Sequence, residues 1–407
     1  MSAQIPDFDS LMTITPRPPI VMMEGKGSWL RDQDGREYLD FIQGWAVNCL
    51  GHSPQVVVDA ITRQATTLLN PSPAFYNAPM IRLAELIVQH SGLHKVYPAC
   101  SGADANEGAI KLARKWGQIH RNGAHEIITM YNSFHGRTLA TMSASGKPQW
   151  RELYEPKVPG FLKAPLNDLI VLRNLITEKT VAVMLEPIQG EGGVIPAEDD
   201  YLRELRALTR EKGILLILDE VQTGIGRTGR LFGHQHAGIS PDIMTLGKGL
   251  GGGVPLAALV AHRDVCCFAP GDQGGTYNGN PLMAAAGCAV METVTAPGFL
   301  DGVNHAGDYL RAQLAGLARD YDLGEVRGRG LLVALQLNQD IAPAIVEAAR
   351  DLGLLLNAPR VNILRFMPAL NISRAEIDEM IRRLAASLDA LGLVCAQSDE
   401  PALALMA

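Results

Sequence analysis

Short apolar runs alternate with amphipathic stretches between about residues 80 and 262, and this alternation leaves the chain few possible folds. Such runs predict buried strands, and the amphipathic stretches predict helices that cover a parallel sheet. The helical pattern of residues 201–212, between two runs, predicts a right-handed βαβ crossover. The predicted strands are residues 126–131, 181–185, 214–218, 243–246 and 256–261. We therefore predict an α/β fold, mainly a parallel sheet flanked by helices.

The pattern differs on both sides of this region. In the first segment, Asp34-Gly35 separates two short strand-like runs and predicts a β-hairpin. After about residue 290 the sequence predicts helices at 303–317 and 374–391, with short strands at 330–337 and 363–366. We predict an N-terminal arm and small sheet (1–55), a large domain (56–290) and a smaller α+β domain (291–407).

Composition limits the possible partners and the compartment. With 36 Lys and Arg against 43 Asp and Glu, the net charge is -7, so no basic surface for nucleic acid is expected. The six cysteines include no pair at the two-residue spacing of zinc or redox sites. The N-terminus lacks a signal-peptide pattern, and no uncharged apolar stretch is long enough for a bilayer. We expect a cytoplasmic protein without membrane or nucleic-acid partners.

Chemically active side chains directly follow the predicted strands, where ligands bind in open parallel sheets. Lys248 lies between two glycines after strand 243–246, as a Schiff-base lysine would, although an incidental lysine in a flexible loop fits equally well. Asp219 follows an apolar run and needs a cation as its partner. A protonated pyridine nitrogen would serve, as in pyridoxal phosphate enzymes, and a structural salt bridge is the alternative.

A predicted helix begins at Ser101-Gly102-Ala103, where small residues would let backbone N–H groups reach a phosphate.

Two other motifs are typical of different ligands. Residues 224–229 match the dinucleotide motif GxGxxG, but they do not lead directly from a strand into a helix. His234 and His236 lack nearby cysteines or an acidic cluster, so we expect polar contacts and no metal site. Adjacent Cys266 and Cys267 are expected to pack in the core.

Six motifs lie around these residues. They are SGADANE (101–107), FHGRT (134–138), EPIQGEGG (186–193), LDEVQTGIGRTG (218–229), LGKGLGGG (246–253) and GGTYNGNP (274–281). Together the motifs resemble those of the class III pyridoxal phosphate-dependent aminotransferases, most closely acetylornithine aminotransferases and their ornithine aminotransferase relatives. The resemblance extends over nearly the whole chain. It implies fold-type I, a cytoplasmic homodimer and a role in arginine biosynthesis.

The resemblance implies a role for each cofactor-site residue. Lys248 would bind pyridoxal phosphate as a Schiff base and then move the substrate proton, and Asp219 would keep the ring nitrogen protonated. Val221 and Phe134 would enclose the ring. The remaining implied contacts are Gln222 near the phenolic oxygen, Ser101, Gly102 and Ala103 at the phosphate, and Thr276 at the phosphate of the partner subunit.

The substrate residues implied by the resemblance are Arg365 for the α-carboxylate of 2-oxoglutarate, Glu191 to neutralise it, and Arg137 for the far carboxylate. Gly44, where ornithine aminotransferases have an aromatic residue, would leave room for an acylated amine. The implied reaction is ping-pong transfer of the terminal amine of N-acetylornithine to 2-oxoglutarate, giving N-acetylglutamate 5-semialdehyde and glutamate. Gly275 and Cys100 depart from the family pattern, which leaves other acyl groups open.

Several other functions remain open from the sequence. Within the family these are succinylornithine, succinyl-diaminopimelate, ornithine and 4-aminobutyrate aminotransferases, which would differ in pocket shape. The same cofactor also supports a decarboxylase or an aminomutase. A binding or regulatory protein that has kept the fold is the non-enzymatic alternative, against which Lys248 and Asp219 argue.

Overall fold

The computed structural model describes residues 8–393 and Cys395. Residues 1–7 of the predicted arm, and 394 and 396–407 of the predicted C-terminal domain, lie outside the described residues. The strands are β1 (Met22–Lys26), β2 (Trp29–Asp32), β3 (Glu37–Asp40), β4 (Lys95–Ala99), β5 (Glu126–Met130), β6 (Phe161–Ala164), β7 (Thr180–Leu185), β8 (Ile188–Gln189), β9 (Ile195–Pro196), β10 (Leu215–Asp219), β11 (Ile243–Leu246), β12 (Ala257–Ala261), β13 (Gly324–Arg329), β14 (Leu332–Leu337), β15 (Leu354–Leu355), β16 (Asn357–Arg360) and β17 (Ile363–Phe366). The helices are α1 (Gln43–Ala46), α2 (Gln55–Ala65), α3 (Ala78–Ser91), α4 (Gly102–His120), α5 (Leu139–Ala144), α6 (Leu169–Leu175), α7 (Asp199–Lys212), α8 (Pro281–Val294), α9 (Phe299–Asp320), α10 (Ala342–Asp351) and α11 (Arg374–Ala390).

A seven-stranded sheet forms the centre, in the order β4-β12-β11-β10-β7-β5-β6. The pairs from β11 through β6 are parallel, whereas β12 is antiparallel to both of its neighbours. The mainly parallel α/β fold is confirmed. The reversal at β12 has a simple cause, because its connection from β11, residues 247–256, is shorter than the roughly dozen residues that a parallel crossover needs.

Helices cover both faces of this sheet. The parallel strands β7 and β10, joined through α7, confirm the predicted βαβ connection. On one face, Leu112 of α4 packs in a cluster with Ile217 of β10. On the other, Leu205 of α7 packs with Leu216 and Leu218. Each such fully buried side chain contributes about 1.5–3 kcal/mol of transfer free energy. Successive residues of β10 therefore pack against opposite helix layers.

The predicted hairpin is present, with Gly35 at positive φ between the antiparallel strands β2 and β3. β15, from the C-terminal region, extends this small sheet by pairing in parallel with β3. An antiparallel sheet, β13-β14-β17-β16, lies in the C-terminal region, where β14 and β17 confirm the two predicted strands. The proposed boundary at 290/291 falls inside α8 (Pro281–Val294), so we propose the turn between α8 and α9 as the division of the two domains.

Among the described residues, no single helix has both the length and the apolar character that crossing a membrane requires. One sharply bent pair, Pro281–Val294 with Phe299–Asp320, meets these criteria only when its two helices are taken together.

Candidate active site

A cavity of about 250 Å³ lies beyond the carboxyl ends of β5, β7, β10 and β11. It brings together most of the predicted site residues, although they come from distant parts of the chain. Those lining it are Gly102, Ala103, Phe134, Arg137, Glu191, Asp219, Val221, Gln222 and Lys248. It is also lined by residues to which the sequence assigned no role: Asn106, His135, Gly136 and Glu186.

Asp219, the last residue of β10, is buried and its carboxylate is held firmly. Oδ1 accepts the backbone N–H of Val221 at 3.0 Å. Oδ2 accepts the side-chain N–H of Asn106 at 2.8 Å and lies 2.8 Å from His135 Nδ1. These contacts give the buried carboxylate a fixed orientation. The cavity therefore has an oriented carboxylate at its inner wall.

Lys248 follows β11 with a positive φ of 44°, after Gly247 in extended geometry. Burial lowers the pKa of its amine to about 8, and the positive charge of Arg365 acts in the same direction, whereas the carboxylates of Glu191 and Asp219 oppose the shift. A substantial fraction of the amine is therefore neutral near pH 7–8, as a nucleophile or base requires.

Helix α4 begins beside this pair. Ser101 caps the helix by accepting the backbone N–H of Asp104, and its side chain is not among those lining the cavity. A Cβ on Gly102 would lie 2.7 Å from Cγ1 of Val221, so only glycine lets the helix start approach so closely. The thiol of Cys100 contacts Asn278 Oδ1 at 3.0 Å, so this departure from the family pattern makes a contact beside the site.

Arg365 is fully buried in β17 and makes several polar contacts. Its guanidinium donates to Glu191 Oε1 at 2.7 Å, to Asn357 Oδ1 and, at 3.3 Å, to Gln222 Oε1. Burial alone would raise the pKa of Glu191, but the charges of Arg365 and Lys147 outweigh it and lower that pKa to about 2. The arginine is thus neutralised by a carboxylate that lies at the edge of the cavity.

Three other predicted residues occupy peripheral positions. Arg137 is exposed and its guanidinium lies 5.7 Å from the ring centroid of Trp150. Gly44 is exposed in α1, where residues 43–46 all have positive φ, and it is not among the residues lining the cavity. Thr276 is also exposed and outside the lining of the cavity.

Three buried polar residues that line the cavity were not predicted from the sequence. Asn106 accepts the hydroxyl of Thr245 at 2.7 Å while it donates to Asp219 and to the carbonyl of His135. Glu186 accepts the backbone N–H groups of Phe134 and Gly190, and burial together with the negative charge of Asp219 raises its pKa to about 8. Asn106 lies three residues before Ala109 on the buried face of α4, and Glu186 follows β7 as directly as Asp219 ends β10. Both signals were available in the sequence, whereas His135 lies in a loop without periodicity.

The other motifs make ordinary contacts. GxGxxG residues 224–229 lie in turns after β10 and lead into a short 3₁₀ turn, Gly233–His236, which does not match a dinucleotide site. His234 pairs with Glu220 at 2.9 Å, and His236 lies 3.0 Å from the carbonyl of Thr228. Cys266 is exposed and Cys267 half-buried, so the expectation that both pack in the core is wrong for Cys266. Within residues 8–393 and Cys395, no group of three or more His, Cys, Asp or Glu could hold a metal.

The cavity fits a flat ring with a basic nitrogen and an attached phosphate. Asp219 provides an oriented carboxylate for the nitrogen, and Val221 and Phe134 provide apolar surface. Gln222 Nε2 is buried without a hydrogen-bond partner, so a donor is available for a ligand oxygen. The N-terminus of α4, with Gly102 and Ala103 at the cavity, suits an anion.

Comparison with known proteins agrees with this geometry. Residues 13–388 match the family model "Aminotransferase class-III". Acetylornithine aminotransferase from Ralstonia nicotianae is 61% identical over 390 residues, 94% of this chain and 98% of that protein. N-acetylornithine aminotransferase from Stenotrophomonas maltophilia superposes with a TM-score of 0.81 at 37% identity, covering 92% of this chain and 97% of that one.

A Toxoplasma gondii ornithine aminotransferase, whose active site holds pyridoxal phosphate at partial occupancy, superposes with a TM-score of 0.89 at 32% identity, covering 94% of this chain and 93% of that one. The match to the family model spans most of the sequence, and the relatives cover nearly the whole chain. The chain therefore belongs to the class III aminotransferase family.

Proposed function

We propose that the protein is a pyridoxal phosphate-dependent aminotransferase that transfers the terminal amine of N-acetylornithine to 2-oxoglutarate, giving N-acetylglutamate 5-semialdehyde and glutamate. The observation that carries the proposal is one cavity that contains Lys248 and Asp219 beside the Arg365–Glu191 ion pair. The Ralstonia nicotianae acetylornithine aminotransferase, 61% identical to this chain, supports the choice of substrate.

The geometry of the cavity supports a role for each cofactor residue. When bound, pyridoxal phosphate supplies an electron sink and carries the amine between the two half-reactions. Asp219 holds a proton on the ring nitrogen, and Asn106 and His135 keep its carboxylate oriented. Lys248, with its lowered pKa, moves the proton at the substrate carbon that carries the amine. Gly102 and Ala103, which line the cavity at the start of α4, would hold the phosphate through backbone N–H groups.

The substrate residues explain how one site accepts two unlike substrates. The reacting end of N-acetylornithine carries no carboxylate, so Glu191 neutralises Arg365 while this amine is bound. With 2-oxoglutarate, the α-carboxylate takes the place of Glu191 on Arg365 through a bidentate pair. Arg137 binds the carboxylate at the far end of either substrate. Gly44, although it lies outside the cavity lining, would leave space for the acetyl group.

We further propose that the protein is a homodimer in which Thr276 completes the phosphate site of the partner subunit. Thr276 is exposed, and apolar side chains near it are exposed as well. Asn77 donates to the carbonyl of Gly279, so the two segments that carry these side chains are adjacent. The exposed apolar residues next to this contact are Phe75, Tyr76 and Tyr277. A second copy would bury them.

A mixing experiment tests this arrangement. Lys248→Ala and Thr276→Ala subunits are each expected to have little activity. If Thr276 acts across the interface, a mixed dimer contains one intact site, so mixing should restore activity. Mixed dimers without restored activity would contradict the contribution of Thr276.

We also propose a cytoplasmic location and a role in arginine biosynthesis.

The reaction is tested by adding amines to the purified holoenzyme and following the absorption of the bound cofactor. N-acetylornithine should change the spectrum at lower concentration than ornithine, succinylornithine, succinyl-diaminopimelate or 4-aminobutyrate, and 2-oxoglutarate should reverse the change. If another amine changes the spectrum at lower concentration, that amine would replace N-acetylornithine as the proposed substrate. Release of carbon dioxide, or turnover without an oxo acid, would indicate a decarboxylase or an aminomutase. Purified protein without cofactor would refute the assignment of Lys248 and Asp219.

A further inference from the structure

Lys147, to which the sequence assigned no role, contacts Glu191, the acidic residue of the predicted substrate site. Lys147 lies after α5, and its Nζ donates to Glu191 Oε2 at 3.2 Å. The same ammonium lies 4.8 Å from the ring centroid of Phe134 and 5.3 Å from that of Trp150. Its side chain is one-fifth exposed. Lys147 is thus held among an acid and two rings beside the cavity.

The two carboxylate oxygens of Glu191 bind different cations. Oε1 accepts from Arg365 at 2.7 Å, and Oε2 accepts from Lys147 at 3.2 Å. Arg365 is fully buried, whereas Lys147 and Glu191 keep limited access to solvent. Glu191 therefore bridges a buried arginine, whose guanidinium would bind a substrate carboxylate, and a lysine at the edge of the cavity.

This bridge matters when an oxo acid binds. A carboxylate that pairs with Arg365 must displace Glu191 Oε1, which leaves the Glu191 charge in a largely enclosed place. Such a charge is costly without a partner. Lys147 already holds the other oxygen, so Glu191 can release Arg365 and still remain paired.

We propose that Lys147 is a positioning residue that retains Glu191 when a substrate carboxylate occupies Arg365, and thereby sets the balance between the amine and the oxo acid. The inference deepens the proposed function and rests on its assignment of Arg365 to the oxo acid. Lys147 acts through Glu191 and does not itself contact the reacting atoms. Loss of Lys147 should therefore weaken binding of the oxo acid more than binding of the amine.

The test measures binding of glutarate, a five-carbon dicarboxylate without a reactive carbonyl, to the holoenzyme by calorimetry. Lys147→Gln should raise its dissociation constant about tenfold, the usual scale for a lost hydrogen bond between charged groups. Lys147→Arg, which keeps the charge, should remain within about threefold of the wild type. Lys179→Gln removes an exposed lysine far from the cavity and should behave as the wild type. The cofactor spectrum and circular dichroism verify that each variant is folded and loaded.

A double-mutant cycle separates action through Glu191 from direct attraction of the dicarboxylate. In a Glu191→Gln background, Lys147→Gln should change the dissociation constant of glutarate less than about twofold. A full tenfold effect in that background would overturn the inference, and so would Lys147→Gln with wild-type affinity. Single-turnover rates should show a larger loss with 2-oxoglutarate than with N-acetylornithine, and equal losses would also contradict it. Failure of the proposed function would appear separately, as wild-type holoenzyme that does not react with N-acetylornithine.

Discussion

The hydrogen bonds of Asn106 provide a direct test of how the site is held together. Its side chain accepts from Thr245 and donates to the His135 carbonyl and to Asp219, all within 2.8 Å. Asn106→Ala removes all three bonds and leaves buried partners unsatisfied. One bond to a charged group and two neutral bonds together correspond to about 4 kcal/mol of unfolding free energy. We expect a loss of this size in the cofactor-free protein.

Asn106→Asp sharpens the test because it keeps the shape of the side chain but places a second carboxylate next to Asp219. Like charges raise the pKa of one carboxyl group, so the folded state takes up a proton that the unfolded state does not. Stability of this variant should therefore recover as the pH falls toward about 5, whereas Asn106→Ala should show no such recovery.

Urea unfolding, followed by tryptophan fluorescence, measures both variants. Gln118→Ala, on the exposed side of the same helix, is the matched control and should change stability by less than about 0.5 kcal/mol. A loss below about 1 kcal/mol for Asn106→Ala would refute the argument that this network holds Asp219 in place.

Three further predictions concern the cavity. Gly102→Ala places a Cβ 2.7 Å from Cγ1 of Val221, so cofactor-free protein should bind pyridoxal phosphate at least about tenfold more weakly in a fluorescence titration; unchanged affinity would contradict the close approach. Glu191→Gln removes the carboxylate that pairs with Arg365, so glutarate should bind at least about tenfold more tightly by calorimetry, and weaker binding would argue against competition for Arg365. Because the pKa of Lys248 is lowered to about 8, the unfolded chain holds more protons above that pH; cofactor-free protein should therefore gain stability from about pH 8 to 10.5, and Lys248→Met should lose this gain in urea unfolding.

Much of the central sheet could be predicted because its strands are continuous apolar runs, as in β7 and β10. Two strands were missed for a physical reason. β4 contains Lys95 and Pro98, and β6 contains Lys163, so neither forms an uninterrupted apolar run. Both have only one neighbour, at the edges of the sheet, where polar residues and proline are tolerated.

The candidate site, like the central sheet, could be predicted only in part. Residues after apolar strands, such as Asp219 and Lys248, could be identified individually, and family motifs added Arg365 and Glu191. The hydrogen bonds that hold Asp219 could not be predicted, because they join residues that are far apart in the chain. His135 lies 84 positions from Asp219, and Asn106 lies 113 positions away.

The sequence alone determined the α/β class, the candidate lysine and aspartate, and the family, because apolar periodicity and short motifs are local properties of the chain. Only the tertiary structure decided that Glu191 is shared between Arg365 and Lys147, and that burial lowers the pKa of Lys248. It also decided that β12 runs against its neighbours. These properties depend on distances between remote segments and on exclusion of water, which exist only after the helices and sheets have packed together.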